Sequence, residues 1–178
     1  MTPIRADPSD TGLIEGYASL FQVADLGHDI VMPGAFTDTL RRKGAQGIRM
    51  LWQHDPAEVI GTWLDLRETA LGLHVRGTLN TQVQRGREAL ALLRSGAING
   101  LSIGFETKGS QHPRGSALRR LTSIDLWEIS LVTFPMLPQA RVHALKRRHG
   151  PTLPLMGSLR AGGSRSSAPH GPRGSCRA

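Results

Sequence analysis

The sequence predicts one α+β domain built on an antiparallel sheet or barrel. Three observations carry that expectation. Residues 70–79 place Leu71, Leu73, Val75, Gly77 and Leu79 at every second position, the period of a half-buried strand. Strand-like runs of similar length recur along the chain. Only two segments, 35–43 and 82–95, have helical character, and they are interspersed among the strands.

Taken in order, residues 12–24 (GLIEGYASLFQVA) mix β-branched, aromatic and small side chains and read as a strand, with Gly16 at a bulge or bend. DLGHD, residues 25–29, is a polar turn. PGAF then opens a short helix over 35–43, closed by Gly44. Residues 47–54 and 58–67 read as strands separated by an Asp55-Pro56 turn, and the alternating 70–79 strand follows. In 82–95, Val83, Leu90, Leu92 and Leu93 lie among Arg and Glu, an amphipathic helix stopped by Gly96. Residues 98–107 return to strand, KGSQHPRGS (108–116) is a loop, and 117–134 hold one or two strands ended by Pro135. There is no internal repeat.

Composition changes near His149. Gly, Pro and Ser supply 15 of the last 30 residues without an apolar period, a composition that does not offset its ordering entropy by burial. The expected division is a domain over 1–148 and a disordered basic tail over 149–178. Charge follows the same division. Residues 1–140 hold 14 Lys/Arg and 14 Asp/Glu, while residues 141–178 hold eight Arg/Lys and no acid, so the net +8 sits in the tail. A nucleic-acid reading therefore applies to the tail alone, and a basic arm also suits an acidic protein surface. The single cysteine, Cys176, excludes a disulfide framework and a Cys-rich zinc site. No apolar run approaches the roughly 20 residues that span a bilayer, and MTPIRADPSD lacks the apolar core of a signal peptide. The expectation is a soluble, cytoplasmic protein.

Three distant segments carry chemistry: MLWQHD (50–55), GLSIGF (100–105) and DLWEISLVTFP (125–135). They offer an imidazole, His54, beside a turn; a hydroxyl, Ser102, flanked by Gly100 and Gly104; and a carboxylate, Glu128, in an apolar strand. A hydroxyl needs an adjacent base to act as a nucleophile, and the base needs an orienting group. Each segment has a plainer interpretation. Ser102 fits a small serine in a strand, since GLSIG is not the GxSxG elbow. His54 fits a surface histidine on a hairpin, with His28 as rival between Asp25 and Asp29. Glu128 fits an outward-facing glutamate equally well, because alternation puts Glu128, Ser130 and Val132 on one face and Trp127, Ile129 and Leu131 on the other. His28/Asp29 and His54/Asp55 do not form a recognised metal-binding spacing, and no phosphate-cradling glycine loop is present.

As an ordered set these segments resemble the phage prohead proteases, the capsid-maturation serine proteases of tailed phages. The resemblance runs over roughly residues 12–145: GYASLFQVADLGHDIVMPGAF, MLWQHDP followed by Ile60-Gly61, GLSIGFE and WEISLVTFPMLPQARV. It implies a herpesvirus assemblin-like fold, an antiparallel β-barrel core with surrounding helices. It implies a catalytic set of Ser102 as nucleophile, His54 as base and Glu128 as the acidic third member, with no cofactor and no metal. The implied protein substrates are scaffold and the extension of the major capsid protein, cut inside the immature capsid (the prohead) in the cytoplasm of the bacterial host, together with the protease's own tail. A homo-oligomer is compatible with it; a membrane is not implied, and nucleic acid only non-specifically through the tail. Gene transfer agents carry related proteases. Two other classes stay open: an inactive capsid-assembly or scaffold-binding module, and a basic-tailed nucleic-acid-binding protein.

Overall fold

The computed structural model describes residues 12–146. The expected tail over 149–178 lies outside the described residues. Eight strands are present: β1 (Leu13–Leu20), β2 (Asp29–Val31), β3 (Arg49–Trp52), β4 (Asp55–Glu68), β5 (Gly72–Leu79), β6 (Gly100–Gln111), β7 (Arg119–Val132) and β8 (Arg141–Lys146). Two α-helices, α1 (Thr37–Lys43) and α2 (Gln84–Arg94), complete the set, with a 3-10 turn at Ala45–Gly47. The strand order β7-β3-β4-β5-β1-β8-β6 returns to β7, closing a seven-strand barrel, and β2 adds to β7 outside the ring. The α+β barrel expected from the sequence is therefore present.

Every strand pairing is antiparallel except two: β2 and β3 each run parallel to β7. The parallel β3–β7 register aligns Arg49 with Glu128 and Leu51 with Ser130. Period-two alternation fills the barrel, with Ile14, Ile60, Leu73, Val75, Leu101, Ile129 and Leu131 each at most 2 % exposed. Each such aliphatic side chain is worth about 1.5–3 kcal/mol of burial. Met50 and Trp63 fill the interior between β3, β4 and β5. Register slips in β1 at Glu15/Gly16 against β8, as the glycine led one to expect.

The helices cover the barrel from outside. In α2, Ala89 and Leu90 are buried against β4 and β5. The helix ends as expected, with Gly96 in the left-handed region at φ 73 and its N–H on Leu93 O. Glu68 accepts the Phe36 N–H at 2.8 Å and the Gly34 N–H at 3.1 Å, fixing the entry to α1. The far end of α1 is held to β7 by Asp125, which meets Lys43 Nζ at 2.7 Å, Thr39 Oγ1 at 3.1 Å and Arg42.

Several boundaries differ from the sequence-based ones. β6 runs on to Gln111 through the first four residues of the expected 108–116 loop, because Gly109, Ser110 and Gln111 find partners on β7. Residues 117–134 supply a single long strand. β2 and β8 are short elements that the pattern did not mark. The tight turn between β3 and β4 is Gln53-His54, and Asp55-Pro56 already belongs to β4.

The face assignment in β7 also needs correcting. Ile129 and Leu131 are buried in the core and Glu128 and Ser130 lie on the opposite face, as alternation required, but Trp127 does not join Ile129 and Leu131. It is 53 % exposed. Opposite it the β6 register slips, Gly104 pairing with Glu128 and Phe105 with Leu126, so Trp127 is the extra residue of a β-bulge. The bulge switches phase: Ile124 and Leu126 point inward before it, Ile129 and Leu131 after it. This is how a strand so apolar directs a glutamate away from the core.

Candidate active site

Three adjacent strands, β3, β7 and β6, carry the site, with β7 in the middle. Ser102 on β6 is the cross-strand partner of Ser130 on β7, and Gly104 is the partner of Glu128. Paired residues share a face. Ser102, Ser130 and Glu128 therefore emerge on one side of the sheet, away from the core.

His54 reaches that face from β3 through backbone geometry. Gln53 and His54 are both left-handed, at φ 53 and 63. Two successive positive φ values are what the two-residue hairpin turn requires, a role usually filled by Asn-Gly. A non-glycine residue held there costs on the order of 1–3 kcal/mol. The surroundings hold it: the Gln53 N–H donates to Leu131 O at 3.0 Å, Gln53 Nε2 donates to Thr133 Oγ1 at 2.7 Å, and the Thr133 N–H donates to Gln53 Oε1 at 3.3 Å. Because β3 and β7 are parallel, the reversal brings His54 back over Ser130 and Glu128. The His54 N–H donates to Ser130 Oγ at 3.1 Å.

The imidazole meets the carboxylate directly, Nδ1 to Glu128 Oε1, at 2.6 Å. Glu128 is nearly enclosed, its side chain 11 % exposed, whereas the His54 ring is 44 % exposed. Ser130 Oγ donates to the other carboxylate oxygen, Oε2, at 2.5 Å. The costly buried carboxylate is thus paired on both oxygens. The hydrogen bond to Glu128 raises the His54 pKa above 6.5, against partial desolvation, and the Glu128 charge adds to the rise. With Nδ1 directed at Glu128, the neutral ring carries its proton there and leaves Nε2 free to accept one.

Ser102 is 6 % exposed, and its Oγ makes no hydrogen bond among the described residues, to His54 or any other side chain. It lines a pocket with room of ≈ 20 Å³, bounded by Ala18, Ser19 and Leu20 of β1 and by Phe105, Met136 and Asp25. The pocket lies between β1 and β6; on another stretch of β6 the pairing with β8 is limited to Gly100 and Arg141.

The other candidates lie elsewhere. His28 sits exposed in the Asp25–Asp29 turn, and its ring has no hydrogen-bond partner among the described residues. Asp55 accepts the Ala57 N–H at 2.9 Å. His74 packs edge-on to Tyr17 and faces Glu15 at 3.2 Å on another part of the wall. Among the described residues no three His, Cys, Asp or Glu side chains converge as a metal-holding group, and no helix is long and apolar enough to cross a membrane. Sequence reasoning put Ser130 on Glu128's face but gave it no part. Its spacing of two from Glu128 was the available signal.

Comparison with known proteins gives concordant results. The family profile described as Caudovirus prohead serine protease matches residues 2–153. The prohead protease of Enterobacteria phage HK97 is 34 % identical over 143 residues, covering 78 % of this chain and 62 % of that protein. The capsid polyprotein of Pseudomonas phage PAJU2 is 33 % identical over 123 residues, 64 % of this chain and 18 % of that one. The chain thus spans less than two thirds of the length of these relatives. The solved structure of the bacteriophage T4 capsid assembly protease aligns with a TM-score of 0.54 at 14 % identity, covering 69 % of this chain and 82 % of that chain, a likeness of fold.

Proposed function

The chain belongs to the caudovirus prohead serine protease family, and we propose that it is a serine endopeptidase that cleaves scaffold and capsid-protein extensions during head maturation of a phage or phage-like particle. The observation that carries this reading is the 2.6 Å contact from His54 Nδ1 to Glu128 Oε1, one strand away from Ser102.

In this mechanism His54 Nε2 takes the Ser102 Oγ proton as Oγ attacks the peptide carbonyl. Glu128 stabilises the resulting imidazolium. His54 then returns the proton to the leaving amine, and water resolves the acyl-enzyme by the same route. Ser102 Oγ and His54 Nε2 close to within about 2.6–3.2 Å when substrate is bound, since catalytic hydrogen bonds tighten in the complex. The domain comprises residues 1–148. The basic segment 149–178 steers the enzyme to an acidic scaffold or shell surface and is itself a cleavage substrate.

The test is exposure of the purified chain to a serine-directed phosphonate, followed by intact-mass measurement. A single adduct, absent from Ser102→Ala, supports the reading. A protein that folds but takes no adduct is instead an inactive capsid-assembly module.

A further inference from the structure

We propose that Ser130 is a positioning residue of this site: its hydroxyl locks the Glu128 carboxylate and the His54 turn into one closed hydrogen-bonded ring. The proposal rests on the protease reading above for its kinetic consequence, but its structural content stands on geometry alone.

Among the described residues Ser130 is the one side chain hydrogen-bonded to both members of the pair. Its single hydroxyl proton goes to Glu128 Oε2 at 2.5 Å. Its lone pair receives the His54 N–H at 3.1 Å. Glu128 Oε1 then meets His54 Nδ1 at 2.6 Å. The ring runs from His54 backbone to Ser130, to Glu128, and back to the His54 side chain, so backbone position and ring orientation are fixed by the same atoms. A hydroxyl is suited to this place because it donates and accepts at once. A carboxylate oxygen could not accept this N–H and also leave Glu128 paired, and an apolar residue would orphan both a buried carboxylate oxygen and the N–H of a left-handed turn.

Ser130 is 0 % exposed and its proton is committed to Glu128, so it is not a second nucleophile although it pairs with Ser102 across the ladder. Its effect is on tautomer. With Glu128 held by Ser130, Oε1 faces Nδ1 and the imidazole proton stays on that nitrogen. Groups that orient a metal-bound histidine through its other ring nitrogen change affinity or activity about 10–100-fold, and an effect of that order is expected of Ser130.

The experiment compares the full chain with Ser130→Ala and Ser130→Thr. The rate of Ser102 labelling by a fluorophosphonate and the NMR resonance of the His54 Nδ1 proton are both read. Ser130→Ala should label about 10–100-fold more slowly and lose the slowly exchanging Nδ1 proton while keeping wild-type circular dichroism. Ser130→Thr, which keeps the hydroxyl, should recover both. Ser130→Ala that labels at the wild-type rate and retains the resonance overturns the proposal. If Ser130→Thr does not fold in the crowded site, the resonance in Ser130→Ala decides alone. A wild-type protein that is never labelled defeats the protease reading, and the Nδ1 resonance still decides the role of Ser130.

Discussion

Gly104 faces Glu128 across the β6–β7 ladder, and a β-carbon at residue 104 would stand 2.1 Å from Glu128 Oε1. The glycine two residues beyond Ser102 thus clears the space in which the carboxylate meets His54. Gly104→Ala should displace that carboxylate with the backbone little changed. A misplacement of about 1 Å costs on the order of 100-fold in rate. Labelling of Ser102 and peptide hydrolysis should fall by that amount, and thermal denaturation should show a folded protein. Wild-type kinetics in Gly104→Ala would mean that the Glu128 position does not matter to rate.

Glu128→Gln preserves shape and removes charge. Turnover should fall by about 10⁴-fold, as amide replacement of a triad acid does. The pH dependence should move as well. In the proposed mechanism His54 serves as base only when neutral, and its pKa is raised above the usual 6.5 by Glu128. Wild-type activity should therefore drop as pH falls through that raised value, and in Glu128→Gln the acidic limb should move to lower pH. The linked stability has the opposite reach: the charged pair favours the fold below the unfolded histidine pKa and the benefit fades as pH rises through the folded one. A pH–rate profile of both proteins checks the shift.

The Trp127 bulge separates side chain from backbone cleanly. Trp127→Ala should be mild, since the ring is largely exposed. Deleting residue 127 should keep the register, because Leu126 and Glu128 become consecutive like their β6 partners Phe105 and Gly104, and every side chain beyond keeps its face. A residue inserted between Glu128 and Ile129 should be severe instead, since the one-residue shift turns Ile129 and Leu131 out of the core, at about 1.5–3 kcal/mol each, and Ser130 into it. Soluble expression and circular dichroism distinguish the insertion from the other two variants.

Asp125 sets the acid behaviour of α1. Its carboxyl is lowered to about 2, first by the hydrogen bond to Lys43 and then by Trp127 and Thr39, against desolvation. A depressed carboxyl stabilises above its unfolded pKa, near 3.9, and the benefit is lost as pH falls toward 2. Lys43→Met should shift the acid unfolding of the protein to higher pH. An unchanged acid midpoint would show that Asp125 does not anchor the helix.

Much of the site was legible because chemistry-bearing residues stand out in short segments. A glutamate in LWEISLV asks for a partner, and His54 beside a turn can be one. The alternating 70–79 strand and the glycine-stopped α2 were readable from local pattern. The parallel β3–β7 register was not, since it depends on a pairing between residues 79 apart in sequence, such as Arg49 and Glu128. Nor was the left-handed Gln53-His54 turn, because Asp55-Pro56 carries the stronger local turn signal and tertiary bonds to Leu131 and Thr133 override it. The place of Trp127 escaped for a related reason: a bulge is a property of two strands, and period two is a property of one.

The order of the strands along the chain bears on when this molecule can act. His54 and Ser102 leave the ribosome well before β7, the strand that joins them and brings Glu128 and Ser130. A chain still being translated through residue 118 holds base and hydroxyl in separate, unclosed pieces. The seam between β6 and β8 at Gly100 and Arg141 closes later still. The complete set of His54, Ser102, Ser130 and Glu128 is therefore brought together by β7, the next-to-last of the described strands.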